Sequence, residues 1–348
     1  MRSTRRTVLG LCLVLAFGVT ALAAPPQAKG WEPERAIEFV IQTSPGGGSD
    51  IYTRLWLGII DELDLSPVPV TPVNMPGGAG AVALTYLYQQ DGDPHYLTPT
   101  LNSIITTPLQ QKIPVMYPSQ DLTPVAQMTT DPFLLWVNPD RYESWEEFQA
   151  KCQEERLTAV GTGARQEDEI QIGILEEAAG CEDFRYVPQS GGGDVASQVA
   201  GGHADFSVNQ PAEGMPHYPE RMHPILMFAK DRHPTFPDTP THWEAEVGTD
   251  NDNEYAKLLD LETGLHQVRG LVGPPNMPEE AKEWYRDLFQ KVFESDRWQD
   301  FMKKNGMVPT FRGPDGYKEF LVGFEKNHVR MMRDVYSWEL RDDLVEHE

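Results

Sequence analysis

The most constraining feature of this chain is a recurring unit in which a short β-rich run meets a glycine-rich loop and then apolar residues at helical spacing. Ile37-Glu38-Phe39-Val40-Ile41 reads as a strand ended by Ser44-Pro45-Gly46-Gly47-Gly48, after which Ile51, Leu55, Ile59 and Leu63 share one helix face. Val68 to Val73 leads into Asn74-Met75-Pro76-Gly77-Gly78-Ala79-Gly80, and Ala81 to Gln89 reads as the next helix. Further on, Leu157 to Val160 runs into Gly161-Thr162-Gly163-Ala164 ahead of a helix over Glu167 to Ala179. Phe184 to Val187 runs into Ser190-Gly191-Gly192-Gly193-Asp194 ahead of a helix over Val195 to Ala200. Strands alternating with helices in this way predict an α/β fold with parallel strand pairs.

The length of 348 residues suits two domains. The pattern shifts at Pro132, where Phe133 to Val137 reads as a strand crossing between them. After the acidic stretch around Asp250, Val268 to Val272 reads as a strand, followed by helices over Pro278 to Glu294, Asp296 to Asn305 and Asp315 to Leu340. This last group has no sheet of its own to cover, so it is expected to pack back on the first lobe. The expected division is residues 31–135 plus 266–348 in one lobe and 136–265 in the other.

Fifty-three acidic residues against 29 basic ones give a net charge of −24, which argues against a nucleic-acid partner, because phosphate binding needs a basic patch. Arg2, Arg5 and Arg6 precede an apolar run from Val8 to Ala23 that is too short for a comfortable membrane span and ends in Ala21-Leu22-Ala23-Ala24. Residues 1–24 therefore read as an export signal, and Thr4-Arg5-Arg6-Thr7-Val8-Leu9 fits the twin-arginine pattern. No other apolar run reaches membrane-span length, so an exported soluble protein is expected. In such a compartment Cys152 and Cys181 are slightly favoured as a disulfide over two free thiols.

A glycine loop between a strand and a helix turns backbone N–H groups and the positive end of the helix dipole toward an anion. For any one loop a plain tight turn explains the glycines as well, but loops of one kind in both lobes point to anion binding. Other chemistry finds less support. Gly78-Ala79-Gly80-Ala81-Val82-Ala83 meets the dinucleotide pattern formally, yet Pro76 and export weigh against a nicotinamide site. No Walker loop, nucleophile elbow or zinc helix occurs, and the histidines lack metal-ligand spacing. Asp250-Asn251-Asp252-Asn253-Glu254 lacks the glycine and distal glutamate of a calcium loop. Ser49, Asp50 and His95 make a hydrolase triad only if the fold positions a base. No enzyme, metal or cofactor is expected.

Several stretches, taken in order, carry a family resemblance. Ile41 to Arg54, the segment Val73 to Gly80, Tyr186-Val187-Pro188 with Ser190 to Gly193, Gly201-Gly202-His203-Ala204-Asp205 and Pro237-Asp238-Thr239-Pro240-Thr241 resemble the signatures of the solute receptors of tripartite tricarboxylate transporters, the Bug-type periplasmic binding proteins. The resemblance spans about Trp31 to Leu321. It implies a two-lobed periplasmic-binding fold of the Venus-flytrap type, with a ligand cleft between the lobes. It also implies a monomer that closes on a small organic anion such as a di- or tricarboxylate and delivers it to a membrane permease, with no cofactor. Carried onto this chain, the ligand-binding residues would be Gly47, Gly48, Ser49 and Asp50, then Gly77, Gly78 and Ala79, and from the opposite lobe Thr162, Gly163, Ala164, Ser190 and Gly191. Where family members often place a histidine, this chain has Arg165-Gln166-Glu167-Asp168-Glu169, and Arg165 is a candidate clamp for a second carboxylate. A hydrolase or lyase on the same lobes, or a receptor signalling to a membrane kinase, are the alternative readings.

Overall fold

The computed structural model describes residues 30–43, 45, 48–189, 192–229, 231–248 and 266–345. Residues 1–24, expected to be an export signal, Gly47, Ser190, Gly191 and the acidic run from Asp250 to Glu254 lie outside the described residues.

Two sheets organise the chain, each the centre of one lobe. The first has six strands: β1 (Ile37–Ile41), β2 (Val70–Asn74), β3 (Tyr96–Thr100), β4 (Thr123–Asp131), β10 (Gln267–Gly273) and β11 (Val308–Arg312), in the spatial order β11-β4-β10-β3-β1-β2. β1 runs parallel to β2 and β3, whereas β10 is antiparallel to β3 and β4. The second has five strands: β5 (Leu134–Val137), β6 (Thr158–Thr162), β7 (Arg185–Gln189), β8 (Phe206–Asn209) and β9 (His223–Met227), in the order β7-β6-β8-β5-β9. There β6 runs parallel to β7 and β8, and β5 is antiparallel to β8 and β9.

The chain leaves the first sheet after Asp131, enters the second at Leu134, and rejoins the first at Gln267, whose register partner is Asp131. Outgoing and returning chain therefore lie side by side where they leave and rejoin the first sheet.

Helices cover the sheets because apolar side chains recur at helical spacing. In α1 (Gly48–Glu62) the buried stripe Tyr52, Trp56, Ile59 and Ile60 faces β1, with the Trp56 ring 6.4 Å from Phe39. Trp56 also meets Phe289 at 5.9 Å and Trp298 at 5.4 Å. Those two belong to Glu279–Glu294 and Asp296–Lys304, so the late helices pack back on the first sheet. In the second lobe α5 (Trp145–Glu154) starts at Ser144, whose hydroxyl accepts from Glu147 N, and buries Trp145, Phe148 and Cys152. Cys152 is bonded to Cys181, which follows α6 (Glu167–Ala179).

The final helix stops short of the sequence expectation. It covers Pro314–Arg330, continues as one wider turn over Met331–Val335, and turns out of the helix at Ser337, whose φ is 48°. The tail then crosses to α6, where the Tyr336 hydroxyl donates to the carbonyls of Glu169 and Ile170. Burying Tyr336 on the second lobe wins over continuing a helix to Leu340. Gly173 makes room, since a methyl group there would overlap the Tyr336 hydroxyl.

Candidate functional site

The first cradle forms where β1 and β2 end. Asp50, in the first turn of α1, is 3 % exposed, and its Oδ1 accepts from Arg54 Nε at 2.8 Å and from Asn74 Nδ2 at 2.9 Å. Asn74 Nδ2 also reaches the Thr43 carbonyl, and Arg54 closes the ring on Asn74 Oδ1 at 3.0 Å. This ring ties the start of α1 to the end of β2. Ser49 is buried with its Oγ 3.1 Å from the Tyr52 hydroxyl, which donates to the Thr100 carbonyl.

The second loop runs through consecutive positive φ values of 142°, 57°, 54° and 99° at Gly77, Gly78, Ala79 and Gly80. Glycine takes such conformations freely, so the strain falls on Ala79. The loop is held by the helix α3 (Ser103–Gln110) and the residue after it: Thr107 Oγ1 donates to the Ala79 carbonyl at 2.7 Å, and Gln111 Nε2 to the Gly78 carbonyl at 3.2 Å. Beneath it lies Gln42, 4 % exposed, whose Oε1 is buried without a hydrogen-bond partner among the described residues.

In the second lobe, Asp168 holds the loop after β6. Its Oδ2 accepts from Thr162 N at 2.7 Å and from Asn209 Nδ2 at 3.3 Å. The Tyr186 hydroxyl donates to the Gly163 carbonyl at 2.7 Å. Gly163 has φ of 68° and Arg165 of 56°, and Ala164 is exposed. The Arg165 guanidinium lies over the Trp338 ring of the tail, 5.7 Å from its centroid. The Arg165 carbonyl accepts from Gln110 Nε2 at 3.4 Å. Through Thr107 and Gln110, α3 thus touches the 77–80 loop of one lobe and the 162–165 loop of the other.

Ionisable groups gather deeper in, between the sheets. Arg269 Nε donates to Asp131 Oδ2 at 3.0 Å, with its guanidinium 5.1 Å from the Tyr52 ring centroid. Across from them Glu213 stands in the short helix Pro211–Gly214 and feels the charges of Asp168, Asp131 and Arg269. Burial drives the Glu213 carboxyl well above the usual carboxylate range, and lifts Asp168 to about 7 and Glu167 to about 8. Glu167 Oε1 faces His328 Nε2 at 3.9 Å, while burial lowers His328 to about 4.

The sequence-derived residues thus form two groups. Gly48, Ser49 and Asp50 are joined to the 77–80 loop through Asn74, and Thr162 to Arg165 face them across α3. The Cys152–Cys181 pair sits at the ends of α5 and α6, where Glu182 N also bonds the Cys152 carbonyl. His95 lies beside Glu38 at the start of β1, whereas Ser49 follows its other end, so no triad assembles from them. Among the described residues no set of three His, Cys, Asp or Glu is placed to hold a metal, and no helix is long and apolar enough to cross a membrane. Sequence reasoning missed α3, Gln42, Glu213 and the Asp131–Arg269 pair. Only spatial proximity unites them, since partners such as Asp131 and Arg269 stand 138 residues apart.

Residues 64–333 match the model of the tripartite tricarboxylate transporter family receptor. A Cupriavidus necator relative, the UPF0065 protein in gbd 5'region, is 23 % identical over 308 residues, covering 88 % of each chain. Malate-bound MatC of Rhodopseudomonas palustris superposes with a TM-score of 0.67 at 21 % identity, covering 87 % of this chain and 99 % of its own. The adipate-bound Rpa4515 of the same organism gives 0.71 at 18 % identity, covering 86 % and 97 %. The periplasmic binding protein BugD gives 0.69 at 16 %, covering 87 % and 98 %. With glycine cradles on both lobes of a two-sheet α/β fold, the chain belongs to the tripartite tricarboxylate transporter receptor family of two-lobed periplasmic solute-binding proteins.

Proposed function

We propose that the protein captures a small organic carboxylate in the cleft between its lobes and hands it to the membrane permease of a tripartite tricarboxylate-type transporter. The observation that carries this reading is the start of α1 tied by Asp50 and Arg54 to Asn74 at the end of β2, just ahead of the 77–80 glycine loop. Backbone amides at helix starts replace water around a carboxylate without a basic surface, which suits a chain of net charge −24. Gly48, Ser49, Gly77, Gly78 and Ala79 form the first wall, and Thr162, Gly163 and Ala164 the wall that closes on it. The moving bodies are the first sheet with its helices and the second sheet, which starts at Leu134, with its own, swinging about the chain beside Asp131 and Gln267. Relatives of the same fold that hold malate and adipate support a carboxylate cargo.

A thermal-shift screen of mono-, di- and tricarboxylates, amino acids and neutral sugars, followed by calorimetry, tests the proposal. A ligand at 100 times its dissociation constant stabilises by about 2.7 kcal/mol. The expected result is one carboxylate bound per chain and recovered unchanged. Consumption of the compound, or stabilisation by neutral sugars alone, would contradict it.

A further inference from the structure

The chain beyond Val335 visits both lobes within a few residues. Met331–Val335 still winds on the first lobe as the continuation of the final helix. Tyr336 then sets its hydroxyl on α6 of the second lobe, donating to the carbonyls of Glu169 and Ile170, the latter at 3.1 Å. The Trp338 ring stands 4.6 Å from that of Tyr336 and receives the Arg165 guanidinium on its face. Three residues later the chain is back on the first lobe. Arg341 N donates to the Leu109 carbonyl at 2.9 Å, and Arg341 Nη1 reaches the carbonyls of Pro108, Ile113 and Val115 at 3.3, 3.2 and 3.1 Å.

The two grips differ in strength. On the first lobe the donor is a guanidinium whose side chain is 6 % exposed, and hydrogen bonds from a charged donor are about twice as strong as neutral ones. On the second lobe the grip is one neutral hydroxyl and a cation–π contact from an exposed arginine, both weaker. Two neighbouring contacts between the lobes are longer: Gln110 Nε2 to the Arg165 carbonyl at 3.4 Å, and Glu167 Oε1 to His328 Nε2 at 3.9 Å. Separation of the lobes would therefore peel Tyr336 and Trp338 off α6 while Arg341 stays in place.

The helix is shaped to receive the tail. A methyl group on Gly173 would overlap both the hydroxyl and the ring of Tyr336, so a bare Cα at this position is what seats the tyrosine. The family match ends at residue 333, and the whole of this segment lies beyond it.

We propose that residues 336–341 are a strap that holds the second lobe against the first in the absence of cargo and releases α6 when the lobes part. Because the 162–165 loop leads into α6, the strap also limits how far that loop can travel. The inference goes beyond the carboxylate-receptor reading and stands whatever the cargo is, so its failure leaves that reading in place.

The test is small-angle scattering of the ligand-free protein in three forms: wild type, Gly173→Ala, and a chain ending at Val335. Gly173→Ala evicts Tyr336 from the second-lobe side while keeping α6, since alanine is the better helix former. Both altered forms are expected to keep the wild-type circular dichroism and to show a larger radius of gyration and maximum dimension. Gly173→Ala placed in the shortened chain should add nothing further, because the two changes act through one contact. A tail that merely adds stability would lower the melting temperature and leave the lobe separation as it was. Scattering from either folded form that superposes on the wild type, or a further expansion in the combined form, overturns the inference. Either form alone suffices should the other fail to fold.

Discussion

Replacing Asp50 by alanine probes the cradle at its anchor. The bond from Asn74 to the buried carboxylate is charge-assisted and is worth about 1.5–3 kcal/mol. The ion pair with Arg54 adds little, because the Arg54 side chain is 47 % exposed and solvent screens it. An acid in the first turn of α1 adds about 0.3–1 kcal/mol through the helix dipole. Together these predict a loss of roughly 2–4 kcal/mol, with Asn74 keeping its bond to the Thr43 carbonyl. For a chain of this length each kcal/mol corresponds to roughly 1.5 °C, so calorimetry should record a fall of about 3–6 °C. Affinity for the best carboxylate should fall further, by at least about tenfold, because the loop amides lose their fixed direction. A variant that melts with the wild type and binds as tightly would show that Asp50 does not hold the cradle.

Further outcomes follow from the same geometry. The Cys152–Cys181 bridge spans a separation of 29 residues, so replacing both cysteines by serine should cost about 3–4 kcal/mol, seen as a lower urea midpoint; an unchanged midpoint under oxidising conditions contradicts this. Glu167 and Asp168, raised by burial to about 8 and about 7, keep protons in the folded state that the unfolded chain releases above about pH 4.5. Stability should therefore fall as pH rises from about 6.5 to about 8.5, by roughly 2–3 kcal/mol, and a higher melting temperature at the upper value refutes it. Below about pH 6.5 the gain is offset by His266 and His328, held down by burial to about 3 and about 4, because the unfolded chain takes up protons that these histidines refuse. Tyr336→Phe removes the hydroxyl bonded to the α6 carbonyls and should cost about 1 kcal/mol while loosening the tail, measured as faster amide exchange over Tyr336 to Trp338.

Elements with local signals were legible in the sequence. β1 and α1 show a strand run and a helical period within 26 residues, and both elements form there, but the buried face of α1 is Tyr52, Trp56, Ile59 and Ile60, whereas Ile51 and Leu63 of the expected face stand 51 % and 48 % exposed. β3, β4 and β11 gave no such signal. Thr123-Pro124-Val125-Ala126-Gln127-Met128-Thr129-Thr130-Asp131 lies between β10 and β11 with both faces covered, so it lacks the alternation of a half-buried strand. Tyr96-Leu97-Thr98-Pro99-Thr100 contains a proline, tolerated because its ladder to β1 covers only Tyr96 and Leu97. In α3, β-branched residues and Pro108 argue against a helix, and burial between the loops overrides that preference.

The same division runs through the site. Glycines that admit positive φ are visible as letters, whereas the buried acids Asp131, Asp168 and Glu213 come from three separate elements, one strand and two helices. The final turn shows a related limit: helical spacing carried the expectation to Leu340, but the aromatic side chains beyond Val335 find burial on the other lobe.

The most direct test of the receptor account is a crystal structure with the tightest-binding acid from the screen. The account predicts its carboxylate against the amides of the 48–50 and 77–80 loops, with the 162–165 loop closed over it. An acid seated instead in the open hollow of about 580 Å³ lined by Arg141, Lys151 and Asp205 on the second lobe would contradict it.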